Sequence, residues 1–282
     1  MSKKCYIIIS ISSDIGFALA KKLLAQGNRV IGTYRTHNQK LTEIERQGAT
    51  LYPWDASISG SSRFIHSLKE TGILWNGLII CHGTLNPIGN FANLSFPEWS
   101  QSITINFLSS LEVLHQLLPL RNQQTLNGPS VLFFAGGGTN SAPKGHSAYV
   151  VSKIALIKMC ELLQEEISDT RFSILGPGWV KTKIHQETLK AGPIQAGSSF
   201  IKTKEMLSSA HQTWVPLEKV IDCCLWTLHS PVVGGRNISI EHDAWTSLKL
   251  ETALRKDQNL FKLRRYGNDI SQRLKKETCE TF

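Results

Sequence analysis

The stretch Cys5–Ile11, CYIIISI, is rich in β-branched apolar residues and lacks the polar alternation of a strand with one wet face. Such a run fits a strand buried on both sides, and strands of that kind belong to parallel sheets covered by helices. The same signal recurs at 29–33, 49–54, 77–81, 130–135, 171–175 and 237–241. Helix-type segments fall between most of these runs. One starts at a Ser13 or Asp14 cap and stops at Gly27, and others are expected at 40–47, 60–70, 97–118 (closed by Pro119), 147–168 and 217–229. Parallel strands need crossover connections, so this alternation implies an α/β fold: a doubly wound sheet of about seven mostly parallel strands with helices on both faces. The segment from 177 to about 211 carries no clear period and reads as an irregular lid. The expected organisation is one domain over 1–243, with a lid region at 179–214, and a basic extension at 244–282.

Composition narrows the class. With 282 residues, 41% of them hydrophobic and 19% charged, the chain is rich enough in apolar side chains to build a core. No apolar run approaches the roughly 20 residues that a membrane helix needs. The net charge of +9 admits a polyanionic partner. Its distribution argues otherwise, because residues 249–282 hold nine basic and five acidic side chains and the rest is spread thinly, so nucleic acid is not the expected partner. The six cysteines include no CxxC pair, and the nine histidines fall into no zinc-binding spacing, so neither a disulfide framework nor a metal is expected. MSKKCYIIIS lacks a full apolar signal region and a small-residue cleavage site, which makes cytoplasm the expected location.

Three places carry chemistry. The first strand runs into a helix N-terminus, where a dinucleotide pyrophosphate sits in sheets of this type. Ser10 and Asp14 stand where glycines belong and Gly16 remains, while Ser10, Ser12 and Ser13 offer hydroxyls. Asp14 is unfavourable beside phosphate and is expected to cap the helix, pointing away. The second strand ends Thr33-Tyr34-Arg35. An acidic residue there would choose NAD; Tyr34 replaces it, and Arg35 suits a 2′-phosphate, which favours NADP, although an ordinary surface arginine reads the same. The sharpest pattern is Tyr149-Val150-Val151-Ser152-Lys153. An i,i+4 pair on a helix lies on one face with Cβ atoms roughly 5–6 Å apart, so the ammonium is expected to lower the phenol pKa and fit it for acid–base work.

With SSDIGFALAKKLLAQG, TYR, WDAS, INF, SAYVVSK and GPGWVKT in hand, the chain resembles the short-chain dehydrogenase/reductase family over about residues 4–243. The resemblance implies a Rossmann-like fold, an NADP cofactor, a small-molecule substrate and a homodimer or homotetramer. It makes Tyr149 the acid/base, Lys153 its partner and a holder of the nicotinamide ribose, and Asn106 the residue that kinks the long helix and supports the lysine. It places Ser10, Ser12, Ser13, Ile15 and Gly16 at the pyrophosphate, Tyr34 and Arg35 at the ribose, Asp55 and Ala56 at the adenine, and Gly83 beside the cofactor. Pro177, Gly178, Val180 and Thr182 fall on the nicotinamide side.

Two departures stand out. Gly136, after Ala135, occupies the place of the family's serine 13 positions before Tyr149. Losing one such oxygen-polarising donor typically costs about 10²–10³ in rate. Thr139 or Ser141 are the available hydroxyls. Ile80-Cys81-His82-Gly83 replaces an asparagine-rich segment, and a histidine in that place is more often structural. Gly136, Thr139, Trp179 and His185 are candidates for lining the substrate pocket. Lys181, Lys183, Lys190, Lys202 and Lys204 add positive charge to the lid, and GGRNISIEHDAW resembles a saccharide-related branch. Both point to a polar or anionic substrate such as a sugar derivative. The alternative is a catalytically impaired relative acting as a dinucleotide-binding sensor or scaffold.

Overall fold

The computed structural model describes residues 3–58, 63–208 and 214–267. Seven strands, β1 (Cys5–Ile9), β2 (Arg29–Tyr34), β3 (Thr50–Pro53), β4 (Gly77–Ile80), β5 (Ser130–Phe134), β6 (Arg171–Gly176) and β7 (Asn237–Ser239), form one sheet in the order β3-β2-β1-β4-β5-β6-β7. Every pairing is parallel, as the unbroken apolar runs demand. The chain leaves β1 toward β2 on one side and returns to β4 on the other, so the crevice above β1 and β4 is the switch point where such sheets bind ligands.

Alternation along each strand sorts side chains between two cores. Tyr6, Ile8, Leu132 and Phe134 face α1 (Asp14–Ala25) and, further along the chain, α9 (Leu217–His229). Cys5, Ile7, Ile9, Val131 and Phe133 face α3 (Arg63–Thr71), α5 (Ser109–Leu117) and α6 (Ser147–Glu166). The small α2 (Gln39–Arg46) packs beside α1 through Leu41 and Ile44.

The structure departs from the sequence reading in three places. β1 stops at Ile9 because Ser10 takes φ +61°, the left-handed region, and turns the chain out of the sheet. Ile11 is buried instead over Gly32, where an added Cβ would meet its side chain at 2.5 Å. The long helix is three pieces: α4 (Phe96–Ile103), a π turn (Thr104–Leu108) and α5. The segment 177–211 is not irregular throughout, since it forms α7 (His185–Ala196), interrupted at Gly192 (φ 77°), and α8 (Ser198–Ser208). Gly192-Pro193 breaks the periodicity by which helices are recognised.

The extension beyond Asp243 is docked as far as it is described, and residues 268–282 of it lie outside the described residues. Trp245 and Leu254, the latter on α10 (Leu248–Lys256), enter the α1/α9 core. Arg236, buried, donates to the carbonyls of Val232 (3.2 Å), Leu254 (2.7 Å), Asp257 (3.1 Å) and Leu260 (2.5 Å). Arg264 pairs with Glu161 (2.7 Å) and Lys262 with Glu165 (3.7 Å), so part of the tail's basic charge neutralises acids of α6. Replacing Arg236 by Met keeps the apolar stem but strands four carbonyls. The expected loss is about 2–4 kcal/mol in urea denaturation, with faster proteolysis after residue 243.

Candidate active site

The predicted site residues gather at the C-terminal ends of the strands. At β1, Ser13 is the N-cap of α1 and its Oγ accepts from Gly16 N–H (3.0 Å). A Cβ on Gly16 would lie 2.8 Å from Ser10 O, so only glycine lets the turn close this tightly. The N–H groups of Asp14 and Ile15 donate to no described residue, which leaves a pair of helix N-terminal donors free for an anion. Asp14 does turn aside, but it is not the cap: its Oδ2 accepts from Lys183 N–H (2.9 Å), and Lys183 Nζ donates to Ser12 O (3.0 Å). The stretch after β6 is thereby fastened to the turn after β1.

The centre of the site is Tyr149 and Lys153 on α6. Lys153 Nζ donates to Phe134 O (3.0 Å) and lies 5.8 Å from the centroid of the Tyr149 ring. Burial lowers its pKa to about 8, with Cys81 acting in the opposite sense. Gly83 passes close by, since a Cβ there would stand 3.1 Å from Asn106 Oδ1 and 3.6 Å from Lys153 Nζ. Asn106, buried in the π turn, accepts from Thr84 N–H (2.8 Å) and donates to Thr84 O (2.9 Å) and Ser102 Oγ (3.2 Å). It lies in the π turn, and its direct partners are the loop after β4 and the preceding helical turn.

The phenol differs from expectation. Burial, and secondarily the carboxylate of Glu187, push the Tyr149 pKa up to about 12, whereas the i,i+4 lysine led us to expect a lowered value. The lysine's charge is drawn to a backbone carbonyl and offset by desolvation of the ring. The ring occupies the space over Gly136, where a Cβ would come 2.3 Å from Tyr149 Oη and 2.5 Å from Cε1. Of the two substitute hydroxyls, Thr139 Oγ1 donates back to Gly136 O (3.3 Å), and Ser141 is exposed.

The cofactor candidates at the periphery are placed but not joined to this cluster. Tyr34 packs edge-on against His37, and Arg35 is exposed with no ion pair among the described residues. The Asp55 carboxylate accepts from Ser57 N–H (2.9 Å) and Oγ–H (2.8 Å), with Ala56 between them. Beyond β6, Pro177 and Gly178 (φ +72°) lead to Trp179, which stacks on His185 at 5.0 Å. Val180 is buried, its carbonyl accepts from Thr182 Oγ1 (3.3 Å), and it lies 2.9 Å from His185 Nε2.

Two residues carry more than the sequence suggested. Glu187, on the first turn of α7, bonds to Thr84, Leu85 and Asn86 from more than a hundred positions away, a separation no local pattern reports. His82 is buried, with Nε2 at 2.9 Å from Ser109 Oγ and 3.1 Å from Ser110 Oγ, while Nδ1 has no hydrogen-bond partner among the described residues. Burial, reinforced by Lys153, lowers its pKa to about 3.

The family model described as short chain dehydrogenase matches residues 4–192. The short chain dehydrogenase adrF of Penicillium roqueforti is 25% identical over 255 residues, covering 85% of this chain and 96% of that protein. A short chain dehydrogenase/reductase structure from Saccharomyces cerevisiae superposes with a TM-score of 0.74 at 20% identity, over 86% of this chain and 98% of that one. Actinorhodin polyketide ketoreductase with NADPH gives 0.72 at 17% identity, over 84% and 95%. These structural likenesses establish the fold. Among the described residues no helix is long and apolar enough to cross a membrane.

Gly136→Ser is expected to displace the phenol rather than restore a serine's donor, at a cost of about 1–3 kcal/mol of overpacking, and a denaturant melt together with Tyr-ring NMR shifts would read both effects. His82 binds its proton in the unfolded chain near pH 6.5 but in the folded chain only near pH 3. Stability contributed by the neutral ring is therefore complete above pH 6.5 and declines as pH falls, by about 2 kcal/mol at pH 5. Urea melts between pH 7.5 and 5 should show that slope, reduced in His82→Gln.

Proposed function

The chain belongs to the short-chain dehydrogenase/reductase family, and from that premise we propose that it is an NADP(H)-dependent oxidoreductase interconverting a carbonyl and an alcohol. The observation that carries the proposal is Tyr149 beside Lys153 at the C-terminal edge of the sheet, against the Asn106–Gly83 loop. The residues present fit a dinucleotide. The free N–H groups of Asp14 and Ile15, with Ser10, Ser12, Ser13 and Gly16 around them, suit a pyrophosphate, and the Asp14 charge is turned to Lys183 N–H. Tyr34 and Arg35, the latter without an ion pair among the described residues, would take the 2′-phosphate end, Asp55 and Ala56 the adenine, and Pro177, Gly178, Val180 and Thr182 the nicotinamide. The dinucleotide supplies or accepts hydride at the reacting carbon.

The rest is the work of side chains. Tyr149 Oη donates its proton to the substrate oxygen in reduction and recovers it in oxidation. A phenol held near 12 is protonated at neutral pH, which suits the reductive direction. Lys153 spends one N–H on Phe134 O and keeps two donors for ribose hydroxyls, while its charge stabilises the phenolate left after transfer. With Gly136 in place of a serine, the phenol is the group that polarises the oxygen. Leu108 and Val151, exposed near the π turn and on α6, suit assembly into a homodimer or homotetramer.

Tyr149→Phe should abolish carbonyl reduction while NADPH affinity, followed by nucleotide fluorescence, stays within a few fold. Undiminished turnover in that variant would sink the mechanism. A second reading, a sensor or scaffold that binds the dinucleotide without turning over, is favoured by Gly136 and by Asp14 in a glycine position. Tight NADPH binding with no reduction of any carbonyl probe would select it.

A further inference from the structure

The segment after β6 is rich in lysine, yet the charge that it fixes on the loop after β4 is negative. Glu187 Oε2 accepts from Leu85 N–H (2.6 Å), Thr84 Oγ1–H (2.9 Å) and Asn86 N–H (3.3 Å). All three donors belong to the loop after β4, which Asn106 grips at Thr84. The carboxylate is thus pinned to the loop that Asn106 holds at Thr84, one residue from Gly83, which passes beside Lys153 and so beside the phenol; after burial, its charge is the second cause of the raised Tyr149 pKa. Its other oxygen, Oε1, accepts from no described residue, and no described cation pairs with it.

None of these lysines pairs with Glu187 among the described residues. Lys183 reaches Ser12 O, Lys202 lies 5.0 Å from the centroid of the Trp179 ring, and Lys181, Lys190 and Lys204 are exposed. An anionic substrate group reaching this loop would therefore meet a carboxylate that no described cation pairs with, since the Lys153 ammonium is directed at Phe134 O. A donor would meet an open acceptor already oriented by three hydrogen bonds, so its desolvation is repaid without reorganising the site.

We infer that Glu187 determines substrate specificity: its fixed carboxylate takes a substrate that presents a hydroxyl or ammonium group near the reacting carbonyl and turns away one that presents a carboxylate or phosphate there. This rests on the oxidoreductase reading above and narrows the polar-or-anionic substrate expected from the sequence to a neutral or cationic polar one.

Glu187→Gln tests it, because the amide oxygen can still accept from the loop after β4 while the charge is gone. The probes are 4-hydroxymethyl-, 4-aminomethyl- and 4-carboxybenzaldehyde, reduced by the full chain with NADPH. The unaltered protein should show kcat/KM about tenfold higher for the first two than for the carboxylate. In Glu187→Gln the ratio should shrink to within about threefold, chiefly through a lower KM for the carboxylate, with NADPH affinity unchanged. A ratio that does not move, or a preference of the unaltered protein for the carboxylate, overturns the inference. Calorimetric titration of 1,4-benzenedimethanol and 4-(hydroxymethyl)benzoate into the NADP⁺ complex reads the same discrimination without turnover. Equal affinities, or no binding of either, count against it equally. Failure of NADPH to bind, or full turnover in Tyr149→Phe, strikes the oxidoreductase reading instead and takes this inference with it.

Discussion

One buried amide holds the site in register. Asn106 satisfies three of its four hydrogen-bonding positions, accepting once and donating twice, within a helix that has opened into a π turn. The widened turn aims the amide sideways at the loop after β4, and that loop presents Gly83 to Lys153 and Thr84 to Glu187. The ammonium, the phenol's neighbour on α7 and the end of β4 therefore share one anchor. Irregular helix geometry of this kind costs regular hydrogen bonds, and here the freed orientation is used at the site.

Gly136 and Tyr149 form a second coupled pair. A missing side chain at the end of β5 becomes the seat of an aromatic ring, so the loss of a hydroxyl and the position of the phenol are one arrangement. The raised phenol pKa follows from the same burial. Lys153 and His82 are buried here as well, and burial lowers the pKa of each.

The features legible in sequence were those with short periods. CYIIISI announced a doubly covered strand, the Tyr149–Lys153 spacing placed two groups on one helical face, and the absent serine was visible as a glycine. Long-range pairings left no such trace. The Glu187 hydrogen bonds join α7 to the loop after β4, and the Lys183–Asp14 contact joins positions 169 apart. Lys153 illustrates the subtler failure: its position was readable, but its effect on the phenol depends on a carbonyl of β5 and on burial. Likewise Ser10 in a glycine position looked like a lost motif, whereas the backbone keeps the left-handed turn that a glycine would make.

The hub at Arg236 has a consequence for how the chain is made. Its guanidinium is supplied before β7, but three of its four acceptors come from Leu254, Asp257 and Leu260. While the chain is being synthesised, β7 reaches the sheet edge beside a cation that has to be buried and has only Val232 O to donate to. Closure of that edge waits for the following two dozen residues to emerge. A sheet whose order is set from its centre outward is completed last at β7, by a segment that adds no strand of its own.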